Sequence, residues 1–191
     1  MGGASVRNIV RMIVVLTLIG AASGLALSIV YKWTKVSIEY QIIKFVKEPA
    51  VKKVLTGYDN DPLVDRKTIV VGTDERGNTV ELVIFPAKKD GETFAVAIEG
   101  KGKGLYGLIG VMVGISKDGA LLDIGITSHL ETPGIGSKVE ETSFTDQFKG
   151  LSTKKALKVD GISGATYSSK GVMSAVTQAI GYVNKFKEEI F

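Results

Sequence analysis

The chain has 191 residues, no Cys and a single His. That excludes a disulfide framework, a cysteine-ligated iron–sulfur cluster, a thiol nucleophile and a metal centre built on several His, so a redox role has to rest on an organic cofactor or an oxygen-ligated metal. The net charge is +4, yet setting aside Arg7 and Arg11 leaves 22 basic residues (24 minus 2) against 20 acidic ones, without the concentrated basic face and interleaved aromatics of a nucleic-acid protein.

The length suits one domain with its own core plus an appendage. After a short tail, residues 1–11, residues 12–31 form an uncharged run of twenty bracketed by Arg7, Arg11, Lys32 and Lys35. As a helix it spans about 30 Å, the thickness of a bilayer's hydrocarbon core. Tyr31 and Trp33 stand where interfacial aromatics belong. The length favours a retained transmembrane anchor over a cleaved signal peptide, although Ala26-Leu27-Ser28 has the form of a cleavage site. Positive charge on both flanks leaves the orientation open. Gly20-Ala21-Ala22-Ser23-Gly24 makes a small-residue face of the kind that lets membrane helices approach closely.

Residues 32–57 form a membrane-proximal helical segment. Val36, Tyr40, Ile43 and Val46 recur at helical spacing over 34–48, Pro49 is expected to break or kink that helix, and a short helix over 50–55 stops at Gly57. Residues 58–191 form the folded domain. Runs at 68–72, 79–85, 94–99, 108–115 and 120–126 read as strands, with Lys117-Asp118-Gly119 as a hairpin turn. A closing helix over 169–191 presents Val172, Ala175, Val176, Ala179, Ile180 and Val183 on one face. Strands first and a helix last make the fold class α+β, with an antiparallel sheet.

Three segments carry candidate chemistry. Gly102-Lys103-Gly104-Leu105-Tyr106-Gly107 matches G-x-G-x-x-G, but a strand rather than a helix follows, so it reads as a glycine-rich bend, with close approach to a flat ligand left open. The loop from His129 through Glu131, Thr132, Pro133 and Gly134 to Gly136 has the composition of a shaped turn; His129 reads as structural. The segment from Asp160 to Ser169 precedes the last helix. Capping accounts well for Ser168 or Ser169 and less well for the run Gly164-Ala165-Thr166, which also suits an anion at a helix amino-terminus.

The run Asp160-Gly161-Ile162-Ser163-Gly164-Ala165-Thr166 resembles the flavinylation motif of the FMN-binding domain found in the G component of Rnf electron-transport complexes (RnfG) and the C component of Na⁺-translocating NADH:quinone reductase. The Glu131-Thr132-Pro133-Gly134-Ile135-Gly136 loop is similar to that family's E-T-P-G-L-G segment, with Ile135 in place of Leu, and residues 144–150 resemble the stretch between the two motifs. The compact chain looks more like RnfG; the quinone-reductase component and a membrane-anchored flavin sensor are the alternatives. The resemblance implies FMN attached covalently, as a phosphoester, to Thr166 by a Mg²⁺-dependent flavin transferase that reads Asp160. It implies an electron carrier with no catalytic residue or resident metal of its own, working among integral-membrane Rnf subunits. The single-pass anchor would lie in the cytoplasmic membrane, with the FMN-binding domain on the extracytoplasmic side. On that reading Glu131, Thr132 and Gly134 shape the ring pocket, Ser163, Gly164 and Ala165 surround the phosphate and ribityl chain, and Tyr106 packs on the ring.

Overall fold

The computed structural model of the chain describes residues 2–73, Gly77 and 79–191. It divides into two compact units, Met1–Ile43 and Lys44–Phe191. The first is a single helix, α1 (Gly2–Ile42), which takes in the apolar run and continues well past it. Among the described residues it holds the one run long and apolar enough to cross a membrane, with a mean hydropathy of 2.4 over 18 residues. Its described side chains are open: Leu16, Leu25 and Leu27 each leave about two thirds of their surface exposed, an arrangement that suits lipid rather than water. The side chain of Val36, expected on the apolar stripe, lies outside the described residues.

Pro49 does not end the helical run. A wide turn of π-helix, Ile43–Lys47, precedes it, and Pro49 falls in the first turn of α2 (Glu48–Val54). A proline ring collides with the carbonyl four residues earlier, and an extra residue in that turn relieves the collision. Leu55 then turns extended and Gly57 takes φ +76°.

Five strands follow in a simple antiparallel meander: β1 (Lys67–Thr73), β2 (Thr79–Lys89), β3 (Glu92–Lys103), β4 (Leu108–Ser116) and β5 (Leu121–Ser128), neighbours in space as in sequence. Asp90 and Gly91 join β2 to β3 with φ of +52° and +83°, the left-handed pair that matches the twist of a tight hairpin. At the β4–β5 hairpin the Ser116 carbonyl accepts from Gly119 N–H, and Ser116 N–H donates to the Ala120 carbonyl. After β5 come two short 3₁₀ turns, Gly136–Glu140 and Asp146–Phe148, flanking a helical turn α3 (Thr142–Thr145). The chain closes on α4 (Thr166–Lys185) and the short α5 (Lys187–Ile190). The closing helix therefore starts three residues earlier than its periodicity suggests, and it breaks at Phe186.

The sheet is covered on both faces. Alternation along β3 sends Val96 and Ile98 into one core, with Val111, Val113, Val172, Val176 and the edge-to-face pair Phe144 and Phe148. It sends Ala95 and Ala97 into the other, with Phe85, Met112, Val51 and Val54. The first core lies under α4 and the second under α2. Both helices sit very close to the sheet because glycines meet them. A side chain on Gly114 would run into the Val54 carbonyl at 2.3 Å, and one on Gly100 into the Ala175 carbonyl at 2.0 Å.

Candidate functional site

The site is assembled from the β3–β4 bend, the loop after β5 and the start of α4. Gly102 lies within β3 and is not part of the bend; a side chain there would meet the Gly171 carbonyl of α4 at 2.0 Å. Gly104 opens the bend and donates to the Gly107 carbonyl at 2.8 Å. Of the glycines in the G-x-G-x-x-G match, Gly102 thus serves helix-on-sheet contact, with Gly171 on the helix completing the approach, whereas a side chain on Gly104 would meet the Glu131 carboxylate at 2.5 Å and one on Gly107 the Leu130 side chain at 3.3 Å.

Thr166 is the first residue of α4, and Ala165 holds the capping position with no side-chain bond to the helix. The unpaired N–H groups of a helix start are normally met by a Ser, Thr, Asp or Asn oxygen. Here none supplies it, no acid lies in the first turn, and Gly164 swings the chain aside at φ +78°. Thr166 itself is exposed. The two serines that have the composition of caps do other work. Ser169 Oγ accepts from Ile162 N–H at 2.9 Å and donates to the Ala165 carbonyl at 3.0 Å, closing the loop before the helix. Ser168, buried, donates its hydroxyl to Glu131.

Glu131 is the knot of the site. It is 4% exposed. One carboxylate oxygen accepts the backbone N–H groups of Leu105 at 2.9 Å and Tyr106 at 3.2 Å, and the other accepts Ser168 Oγ. Its own N–H donates to His129 Nδ1 at 3.1 Å, and His129 Nε2 lies 3.0 Å from a Glu140 carboxylate oxygen. His129 is therefore a brace for the loop. The Thr132 carbonyl accepts from both Ile135 and Ser137, and Gly134, at φ +74°, donates to Ser137 Oγ at 2.9 Å.

A small cleft results. It is lined by Glu131, Thr132, Gly164, Ala165 and Thr166, all singled out in the sequence as pocket residues, and by Leu105, Ile135, Gly136, Tyr167 and Ser168, which carry no pocket assignment there. Ser163 and Gly134 stand beside it on the same loops. Tyr106 is largely exposed on the bend. Asp160 lies away from the cleft: its N–H and carbonyl both engage the Gln147 side chain, and its carboxylate is left at the surface. Leu105, Leu130, Ile135 and Tyr167 give the region an exposed apolar rim. An uncapped helix start with a small-residue approach and an accessible hydroxyl suits a phosphate-bearing group, and the apolar rim suits a flat ring.

Burial pushes the Glu131 carboxyl up, but the Ser168 hydroxyl, the two backbone N–H groups and His129 outweigh it and hold the group below its ordinary value. A carboxyl depressed in the folded state adds stability above its unfolded pKa, about 4.3, and loses that contribution as pH falls through the lower folded value. Glu131→Gln is expected to cost roughly 1–2 kcal/mol at neutral pH. The gap from wild type should shrink as the pH is taken below about 4, in thermal melts of the detergent-solubilised protein. Parallel acid limbs would show that the Glu131 charge plays no part.

The fold and the cleft define an α+β domain of the FMN-binding kind, preceded by an apolar helix. The family model for the FMN-binding domain matches residues 104–181, which contain every segment of the cleft. The G component of an ion-translocating oxidoreductase complex from Methanosarcina acetivorans is 30% identical over 186 residues, covering 93% of this chain and 96% of that one. The G component of the proton-translocating ferredoxin:NAD(+) oxidoreductase complex of Clostridium ljungdahlii is 33% identical over 111 residues, 53% of this chain and 60% of the other. The crystal structure of Shewanella oneidensis NqrC shares the fold, with a TM-score of 0.54 at 21% identity over 78% of this chain and 76% of that one. The chain belongs to the family formed by the G components of ion-translocating oxidoreductase complexes.

Proposed function

We propose that this chain is the membrane-anchored electron-carrying subunit of an ion-translocating, Rnf-type ferredoxin:NAD⁺ oxidoreductase complex, with FMN esterified through its phosphate to Thr166. The observation that carries the reading is the start of α4. An exposed threonine hydroxyl stands on a helix terminus that no side chain caps, facing a loop braced by a buried carboxylate.

In this reading Thr166 Oγ1 is the ester oxygen, and the free N–H groups of the first turn of α4 offset the phosphate charge. Ser163, Gly164 and Ala165 surround the phosphate and ribityl chain without crowding them. Thr132, Gly134 and Ile135 shape the ring side, with Glu131 behind them, and Tyr106, Leu105 and Tyr167 offer apolar surface to the isoalloxazine. When bound, the flavin supplies reversible electron transfer, and the protein's share is placement and electrostatics. Asp160 presents its carboxylate outside the cleft, where a flavin transferase can read it.

The domain plan follows: a tail over 1–11, one membrane pass over 12–31, a membrane-proximal helical segment over 32–57 and the FMN domain over 58–191. The FMN domain would face the extracytoplasmic side of the cytoplasmic membrane, where a covalent bond prevents loss of the cofactor. The apolar run carries no ionisable side chain between Met12 and Val30, so ion transport falls to integral-membrane partner subunits. Purified from native membranes, the tagged chain should bring redox-active membrane subunits with it and keep yellow-green fluorescence on a denaturing gel. A dark band, or a chain that isolates alone, would contradict the assignment.

A further inference from the structure

Glu131 poses a problem that its hydrogen bonds do not resolve. A helix start built for an anion gains nothing from a buried negative charge on its wall. The three donors that hold Glu131 are two backbone N–H groups and a hydroxyl, and a neutral glutamine could meet all three, since the Ser168 hydroxyl can turn round and accept. The geometry does not need the charge, yet the charge is there, desolvated and fixed from three sides.

We infer that Glu131 is a positioning residue whose buried carboxylate sets the redox potential of the group held at Thr166, keeping it low. This rests on the flavin reading above. A group esterified to Thr166 is tethered beside the cleft wall that Glu131 forms. Two-electron reduction of a flavin with uptake of one proton leaves one added negative charge on the ring system. A fixed carboxylate nearby opposes that charge, and its effect is weakly screened because the carboxylate is buried. Ser168 moderates the effect by donating to the carboxylate. The pair gives the site a means of setting potential that is independent of the covalent bond.

The test is a spectroelectrochemical titration of full-length protein in detergent, with dithionite as reductant and mediator dyes, on wild type, Glu131→Gln and Ser168→Ala. Flavin content is read first from absorbance; a wild-type chain without flavin overturns the flavin reading and this inference with it. With flavin present, Glu131→Gln should raise the reduced-to-oxidised ratio at a fixed potential at least tenfold, about 30 mV for a two-electron couple. Ser168→Ala, which keeps the charge and removes a donor to it, should shift the ratio the other way. A merely loosened site would move both variants in one direction. A common direction, or a Glu131→Gln ratio within threefold of wild type, overturns the inference while leaving the flavin assignment standing. If Glu131→Gln carries no flavin, Ser168→Ala decides alone: an upward shift overturns the proposal and a downward shift supports it.

Discussion

Replacing Thr166 with Val should leave a folded, membrane-inserted protein that carries no covalent flavin. The two side chains have nearly the same shape, and position 166 is exposed at the first turn of α4, so the change in stability should stay within about 0.5 kcal/mol. What is lost is the accessible hydroxyl at the uncapped end. Ser168 cannot replace it, because its hydroxyl is buried against Glu131, and Ser169 is tied to Ile162 and Ala165. Thr166→Ser should recover part of the adduct, since it restores the nucleophilic oxygen. The measurement is flavin fluorescence of the denatured band, normalised to protein. Undiminished fluorescence in the Val variant would place the attachment elsewhere.

The second large effect is on stability. Gly102→Val should destabilise the folded domain by about 3 kcal/mol or more. Its Cβ would fall 2.0 Å from the Gly171 carbonyl and 2.7 Å from the Ala175 N–H. Both obstacles are backbone, so relief requires lifting α4 off the sheet, and the Val172, Ala175, Val176 and Ala179 face would lose its packing. At roughly 2–4 °C per kcal/mol for a domain of this size, the melting temperature should drop by about 10 °C. Gly164→Ala makes the contrast. Position 164 has a positive φ but nothing within 4 Å of the added carbon, so its cost should be about 1 kcal/mol. A Gly102→Val protein that melts like wild type but has lost flavin would return the glycine run to ligand binding.

Parts of this architecture can be read directly from the sequence, and the reasons for the gaps are specific. The Asp118-Gly119 turn and the apolar periodicity of 172–183 mark a hairpin and a closing helix, because local signals there agree with the tertiary packing. The end of β3 escapes for the opposite reason. Gly100-Lys101-Gly102-Lys103 has poor strand propensity, yet β3 runs through Lys103 because its glycines fit beneath Gly171 and Ala175. The start of α4 is obscured because Ser168 and Ser169 have the composition of caps. Periodicity holds the correction: Ser168 falls four residues before Val172 on the buried stripe, and a polar side chain there requires a partner. That partner, Glu131, belongs to a loop whose sequence advertises only its turn chemistry. Leu105, Ile135 and Tyr167 give no signal of their own, since only the fold brings their segments to one cleft.

The bond at Thr166 is open to direct test by intact mass spectrometry of the full-length protein co-expressed with an active flavin transferase. The expected result is a mass increase equal to FMN less one water, mapped to the peptide that contains Thr166. An unmodified mass, with the transferase working on a control substrate, would contradict it.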